Sequence, residues 1–483
     1  MNFQRLLPLL SILAFAACAT APHHPARTER DTSVSPTVQV WLSTADGRKR
    51  LELGHDIAFD AAAEAKTTIE IDAGKRYQEM VGFGAAITDA SAWLIEQRMN
   101  PAQRKALLAE LFGREDNGIG LSFARLTIGA SDFSRRHYSF DDMPAGQRDP
   151  ELAHFSIAPN RDDVLPVVRA ALEVNPRLLV MASPWSAPGW MKTTGSMVGG
   201  TLRDDAYAPF GEYLVRYVEA YAAEGVPIYA LTMQNEPGFA PGDYPGMKLD
   251  AAMRARLIGR YLGPLLAKRA PATKILDWDH NWDKPEEPLG VLGDPVAAPY
   301  VAGVAWHCYA GSMGVQAVVH DAHPDKDAYM TECSGGQWKP MRDDGLLTIT
   351  RRLIIGSTRG WSKGVLLWNL ALDENNGPHT GGCTDCRGLV TIDSKTGTYT
   401  TTVDYVALAH ASRFVRPGAR RVESSGGGND IDNVVFRNAD DGSLVMIVAN
   451  SSKSAQRFVA RDGGHSFAYE MPGRGVATFV WRP

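Results

Sequence analysis

The sequence predicts an α/β fold: a closed (β/α)8 TIM barrel carrying a discontinuous β-sandwich side domain built from both chain ends. Three observations predict it. Between about 76 and 410, eight short runs rich in apolar and β-branched residues alternate with longer stretches of helical period. Nearly every run ends in polar residues, as barrel strands do where they reach the mouth. The flanks 37–75 and 413–483 instead alternate with period two, the mark of half-buried strands. An open doubly wound sheet is the competing arrangement for the middle; polar ends around the whole series favour closure.

In chain order the eight runs are Glu79–Thr88, Leu121–Gly129, Arg177–Ser183, Ile228–Gln234, Lys274–Trp278, Val301–Cys308, Asp327–Thr331 and Gly364–Asn369. Between the third and fourth, Phe210, Leu214, Tyr217 and Tyr221 fall on one face of a helix. Residues 251–270 form a second helical stretch, punctuated by Gly263-Pro264. The N-terminal flank carries Val38-Gln39-Val40-Trp41 and Thr68-Ile69-Glu70-Ile71. The C-terminal flank carries Val434-Val435-Phe436, Leu444–Val448 and Ala477–Trp481, with Gly426-Gly427-Gly428 and Asp440-Asp441-Gly442 as turns. The expected divisions are a signal or lipoprotein segment at 1–18, a tether at 19–36, sandwich pieces at 37–75 and 413–483, and a barrel at 76–412.

The first segment is expected to direct export. The apolar run Leu6–Ala17 follows Arg5, is too short to span a bilayer and matches the apolar core of a secretory signal. It ends in Phe15-Ala16-Ala17-Cys18, close to a bacterial lipoprotein box, although Phe is unusual three residues before the Cys. A lipidated Cys18 would attach the mature chain to a membrane at the periplasm or cell surface. Ordinary cleavage near Ala19-Thr20-Ala21 would release it. In an oxidising compartment Cys383-Thr384-Asp385-Cys386, in a Gly-rich loop, reads as a local disulfide, with free thiols the alternative. A zinc site would need a second pair or clustered His, and neither is present.

Composition narrows the function classes. The 483 residues are 44% hydrophobic and 22% charged, with a formal net charge of −5, which excludes disorder, collagen and a polytopic membrane protein. Nothing recommends nucleic acid as a partner. The 11 Trp and 15 Tyr are the unusual entry: indoles stack on the apolar faces of pyranose rings.

Reactive side chains of barrels stand at the C-terminal strand ends. Two such ends carry a Glu: Thr232-Met233-Gln234-Asn235-Glu236-Pro237 after the fourth run, and Tyr329-Met330-Thr331-Glu332-Cys333-Ser334 after the seventh. Pro237 removes a backbone donor and halts the ladder where Glu236 must face the mouth. Two solvated loop carboxylates would be the bland reading. Two Glu at two strand ends, facing each other across the mouth, are what glycoside cleavage needs. One protonates the leaving oxygen while the other attacks the anomeric carbon, with retention if they lie about 5–5.5 Å apart. On this reading a negative Glu332 raises the pKa of Glu236 and keeps it protonated as the acid. A barrel that only binds surface glycans is the competing class, and the presence of both carboxylates argues against it.

At this point the chain resembles glycoside hydrolase family 30, the glucosylceramidase-like group of retaining β-glycosidases. The resemblance rests on Gly82–Asp89 (Gly-Phe-Gly-Ala-Ala-Ile-Thr-Asp), Ala130–Ser134, Ala182–Lys192 (Ala-Ser-Pro-Trp-Ser-Ala-Pro-Gly-Trp-Met-Lys), Asn235-Glu236-Pro237, His307-Cys308-Tyr309, Thr331-Glu332-Cys333 and Trp368–Leu372. Each is weak alone; together, on successive strands, they are specific. The resemblance implies Glu236 as acid/base and Glu332 as nucleophile, with no cofactor or metal. It implies that Asn235 holds the sugar 2-hydroxyl and that Asp132 and Trp185 bond outer hydroxyls. Tyr309 would lie beside the nucleophile, Trp368 would form a platform under the ring, and Arg125 would steady the carboxylates. His307 is either a ligand or a buried His satisfied by a neighbour, and Asp89 is a cap rather than a sugar contact.

Two departures narrow the subgroup. Animal glucosylceramidases carry Trp where this chain has Cys308 and Asp where it has Leu367. The stretches 277–282, 307–311 and 381–388 are similar to the microbial β-1,6-glucanase branch, which implies a β-glucan substrate and places Trp278, Asp279 and Trp282 along the cleft. The related alternatives are a glucosylceramidase and a β-glucosidase or β-xylosidase. Gly82-Phe83-Gly84 begins a dinucleotide fingerprint but has Ile87 where the third Gly belongs. No P-loop, Gly-x-Ser-x-Gly or His-Glu-x-x-His is present.

Overall fold

The computed structural model describes residues 37–428 and 430–483; the expected signal or lipoprotein segment, Cys18 and the tether lie outside the described residues. Two strands open the chain, β1 (Thr37–Thr44) and β2 (Thr67–Glu79). Eight more follow: β3 (Gly82–Ala86), β4 (Phe123–Ile128), β5 (Leu179–Pro184), β6 (Ile228–Leu231), β7 (Lys274–Asn281), β8 (Val301–His307), β9 (Asp327–Glu332) and β10 (Ser362–Leu367). These eight pair in sequence order, all parallel, and β10 closes on β3. The barrel interior is filled by side chains, among them Phe123, Met181, Ala230, Leu276, Ala305, Tyr329 and Leu366. Gly84 has a steric reason: a Cβ there would run into the Phe123 carbonyl across the β3–β4 pair.

Helices cover the barrel as their periods dictate. Phe210, Leu214, Tyr217 and Tyr221 all point inward from the helix Tyr207–Ala223. Thr88 caps the first helix, Asp89–Arg98, by accepting the Ser91 N–H at 3.2 Å. Asp89 itself is buried and accepts the Tyr138 hydroxyl.

The six remaining long strands are β11 (Arg420–Ser424), β12 (Ile431–Arg437), β13 (Leu444–Asn450), β14 (Gln456–Asp462), β15 (His465–Met471) and β16 (Gly475–Trp481). They join β1 and β2 in one path, β1-β16-β13-β12-β11-β2-β14-β15. The two ends of the chain therefore meet as partners, with Gln39 opposite Val480. This sandwich encloses its own core, including Val38, Ile69, Val422, Val435, Phe458, Phe479 and Trp481.

His410, on the helix Val403–Ser412, ties barrel to sandwich. The Thr478 hydroxyl donates to the His410 carbonyl and so accepts from Nδ1–H at 2.9 Å. The Ser43 oxygen already accepts the Leu51 N–H, leaving its own hydrogen for Nε2 at 2.8 Å. This closed chain of bonds is satisfied by a neutral imidazole. Burial pushes the His410 pKa down to about 3. Below the ordinary histidine value of about 6.5 the unfolded chain binds a proton that the folded chain refuses. Folding stability therefore falls as pH drops from there toward 3, by about 1.4 kcal/mol per pH unit. His410→Asn is expected to flatten the dependence of unfolding free energy on pH by close to one proton between pH 4 and 6. Identical slopes in denaturant titrations of the two proteins would refute this.

Candidate active site

Both glutamates stand at strand ends where the regular backbone fails. Glu236, five residues past β6, has φ +48°, and its N–H donates to the Asp279 carbonyl at 3.0 Å. Within β7, Trp278 and Asp279 take φ of +74° and +57°, and the β7–β8 register skips Asp279. Side-chain alternation breaks there: Asp279 turns into the barrel while Trp278 turns out. On β9 the register jumps so that Met330 faces Trp306 but Glu332 faces His307. Bulges of this kind re-aim a side chain at the cost of a ladder bond, and left-handed non-glycine residues gather where function requires them.

Arg125, on β4 and fully buried, joins these pieces. Its guanidinium donates to the Glu332 carboxylate, to Asn235 Oδ1 at 2.9 Å and to Asp279 Oδ2 at 2.7 Å. Its flat face lies 4.8 Å from the Trp185 ring centre. Asp279 also accepts the hydroxyls of Ser183, Thr232 and Thr331. His307 bridges the two acidic groups, with Nε2 3.0 Å from Asp279 Oδ1 and Nδ1 3.1 Å from Glu236 Oε1. The Tyr309 hydroxyl donates to Glu332 Oε1 at 2.9 Å. One ligand atom each from Glu236, His307 and Glu332 lies within 4.8 Å of the others. Such a triad has the spacing of a cation site. The Arg125 guanidinium paired to Glu332 and a protonated His307 already supply positive charge there.

The electrostatics follow from these contacts. Burial alone would lower His307, but Glu332, Asp279 and Glu236 raise it to about 9. Burial alone would raise Glu236, but the His307 hydrogen bond and charge outweigh it and hold that carboxyl below its ordinary value. At Glu332 burial, reinforced by the charges of Glu236 and Asp279, outweighs His307 and Arg125 and raises the carboxyl. This reverses the expectation that Glu332 would hold Glu236 protonated by repulsion. The sequence did not reveal that a cationic imidazole would sit against Glu236. Burial raises Asp132 to about 8, with the Glu332 and Glu236 charges adding to it.

Above this network lies a cleft of about 450 Å³ lined by Asp132, Trp185, Asn235, Glu236, Tyr309, Glu332 and Trp368, all singled out from the sequence. Its walls also include Asp243, Tyr244, Trp338 and the bonded pair Cys383–Cys386. Gly382, at φ +69°, packs against Asp132; a Cβ there would meet the carboxylate. Arg125, Asp279 and His307 lie beneath the cleft rather than along it.

Three residues expected along the cleft, Trp278, Asp279 and Trp282, need correction. Trp278 and Trp282 do not line the cleft: both are fully buried in the helical layer. The left-handed pair at 278–279 turns Trp278 onto Arg254, and the Trp282 indole donates to Gln316. Asp279 is a buried charge hub, not a wall residue. Of the two alternatives for His307, the buried one is met: its ring nitrogens face Glu236 and Asp279. Trp368, in the cleft wall, stacks on Trp185 at 4.9 Å and 21°. The open aromatics are Tyr309, Tyr244 and Trp338. Tyr244 sits in a long loop with no period to mark it, and Trp338 is one of the 11 Trp that composition counts without placing. A second disulfide, Cys308–Cys333, joins β8 to β9 beside Glu332 and was not foreseen.

Comparison with known proteins agrees with this geometry. The family model described as the glycosyl hydrolase family 30 TIM-barrel domain matches residues 80–415, and that family's beta sandwich domain matches 418–479. An endo-1,6-beta-D-glucanase of Neurospora crassa is 36% identical over 437 residues, covering 85% of this chain and 88% of its own. The lysosomal acid glucosylceramidase of Mus musculus is 31% identical, over 92% of this chain and 89% of its own. The solved endo-beta1,6-glucanase BT3312 superposes with a TM-score of 0.84 at 32% identity, covering 92% of this chain and all of that one. A barrel of this topology, two strand-end glutamates over a buried arginine, and family matches across nearly the whole described chain lead to one conclusion: the protein is an O-glycosyl hydrolase belonging to glycosyl hydrolase family 30.

Proposed function

We propose that the protein is a retaining β-1,6-glucanase that acts by double displacement, with Glu332 as nucleophile and Glu236 as acid/base. The observation that carries this reading is the approach of the two carboxylates, an oxygen of each within 4.8 Å. Retaining pairs stand about 5–5.5 Å apart and inverting pairs about 6.5–9.5 Å, because only the latter must admit a water between carboxylate and sugar. Glu332 attacks the anomeric carbon as the bond to the leaving oxygen breaks, and that oxygen takes a proton from Glu236. Water then attacks the glycosyl ester, Glu236 accepts its proton, and Glu332 leaves as carboxylate. The contact between His307 Nδ1 and Glu236 holds the proton that the first step delivers. Asp132, raised by its surroundings, carries a hydrogen it can donate to a sugar hydroxyl. The Asn235 side-chain amide faces the cleft while its oxygen is anchored by Arg125.

The β-1,6 linkage and endo action are carried over from the Neurospora crassa endo-1,6-beta-D-glucanase and from the endo-beta1,6-glucanase BT3312. Glucosylceramide is the related alternative, supported by the mouse enzyme's 31% identity. Release of oligosaccharides from a linear β-1,6-glucan is the expected outcome when this polymer, glucosylceramide and xylan are compared. Preference for glucosylceramide would replace the substrate assignment. We also propose export. The leader-like run Leu6–Ala17 supports it, as do two disulfides, which persist in oxidising compartments. Attachment through a lipidated Cys18 is part of that proposal.

Glu332→Gly should lower turnover of an aryl β-glucoside by at least about a thousandfold. Added azide should restore part of it, with β-glucosyl azide as product. Activity that survives without azide would remove Glu332 from the mechanism. A second outcome concerns pH. The proton shared by His307 and Glu236 must be present, so kcat/KM falls as pH rises through the His307 value of about 9. In His307→Asn the positive charge is gone and Glu236 titrates alone. The alkaline limb is expected to move down by about one pH unit or more, and an unmoved limb would refute the shared proton.

A further inference from the structure

Where the ladder between β8 and β9 ends, a covalent bond continues it. The last rung pairs His307 with Glu332, immediately after the bulge that leaves Thr331 unpaired. The next position on each strand is a cysteine, and Cys308 and Cys333 are bonded, with Cα atoms 5.3 Å apart. Each cysteine is one residue from a group at the reacting end of the cleft: Cys333 follows Glu332, and Cys308 precedes Tyr309. Tyr309 is 44% exposed, although its hydroxyl reaches the buried Glu332 carboxylate. Its only other hydrogen bond among the described residues is from its N–H to Asn281 Oδ1 at 2.9 Å. The cysteines themselves are buried and anchored to the body. The Cys333 carbonyl accepts the Trp368 N–H at 2.8 Å, and the Cys308 carbonyl accepts from Arg352 at 3.0 Å. The pair thus ties together the mouths of β8, β9 and β10. The other disulfide closes a loop of sequence separation 3, whereas this one joins two strands across a separation of 25.

We propose that the Cys308–Cys333 disulfide is a positioning element for the nucleophile. It stands in for the missing backbone rung and so fixes the Tyr309 hydroxyl on Glu332. A hydrogen bond from an exposed tyrosine is worth little unless both ends are held, because each loose end adds freedom that the transition state must remove. The disulfide removes that freedom on both sides at once, at the point where the bulge has cost the sheet its own means of doing so. The inference rests on the reading of Glu332 as nucleophile and adds the residues that orient it. It also couples full activity to an oxidising compartment, since the reduced chain keeps every polar group of the site but not their alignment.

The test is a double-mutant cycle on the glycosylation step. The rate of covalent trapping of Glu332 by 2-deoxy-2-fluoro-β-glucosyl fluoride is measured for four proteins. These are the unaltered enzyme, Tyr309→Phe, the pair Cys308→Ala/Cys333→Ala, and all three substitutions together. Tyr309→Phe should slow trapping about tenfold when the disulfide is present and less than about threefold when it is absent, with the change in the maximal rate rather than in probe affinity. A merely structural disulfide would give multiplying, independent effects, and that result overturns the proposal. So does an alanine pair that is trapped at the unaltered rate. The unaltered chain refolded under a thiol reductant, with its free cysteines mapped by alkylation, gives a second measurement that needs no substitution. Slowed trapping with Cys308 and Cys333 both alkylatable supports the proposal; full-rate trapping overturns it. If the unaltered enzyme is labelled elsewhere than Glu332, the nucleophile reading falls and the proposal with it.

Discussion

The buried guanidinium of Arg125 is the point on which the site turns. It is fully enclosed and contacts Glu332, Asn235 and Asp279 simultaneously, so three different strand ends converge on one planar fork. Enclosing a charge this deeply is costly unless it is paired and bonded. Here its partners lie on β7 and β9 and just past β6, so the charge is balanced only when the barrel is closed and in register. Removing Arg125 would leave Glu332 and Asp279 facing each other with only His307 between them. The ion pair is thus a condition on the fold as much as a part of the chemistry.

Around it the barrel departs from regularity in a directed way. Regular pleating would send Trp278 and Asp279 to opposite faces in the opposite sense. Two left-handed residues exchange them, bringing the acid to Arg125 and the indole to Arg254. The bulge on β9 does the same for Glu332. Each irregularity forfeits backbone bonding, and something else takes its place: side-chain hydroxyls on Asp279, an imidazole between two carboxylates, a disulfide after the last rung.

The same pattern explains which readings of the chain succeeded. The eight strand runs were legible because burial on both sides leaves an apolar run bounded by polar residues, and that depends on local composition alone. The flanking strands were legible because one face of each is buried and one is not. Glu236 and Glu332 stood out because a carboxylate at a strand end followed by Pro or Cys breaks the apolar run. Trp278 and Trp282 were placed along the cleft by resemblance alone, and the left-handed pair at 278–279 turns Trp278 away from it. The stacking of Trp368 on Trp185 was not readable because nothing local joins residues almost two hundred positions apart. The Cys308–Cys333 bond was unreadable for the same reason, since its partners sit on different strands.

By itself, then, the sequence determined the fold class, a barrel joined to a β-sandwich, and the family to which the chain belongs. Patterns of burial and short motifs on successive strands are written within a few residues of where they act. Only the tertiary structure decided which glutamate meets the imidazole, which aromatics stay open to a sugar, and that Cys308 bonds Cys333. Those are properties of groups brought together from distant strands. The field at Glu236 is set by His307 and by an Asp279 whose own charge is held by Arg125. Electrostatic energies depend on distances of a few ångströms between such residues, and folding alone sets those distances.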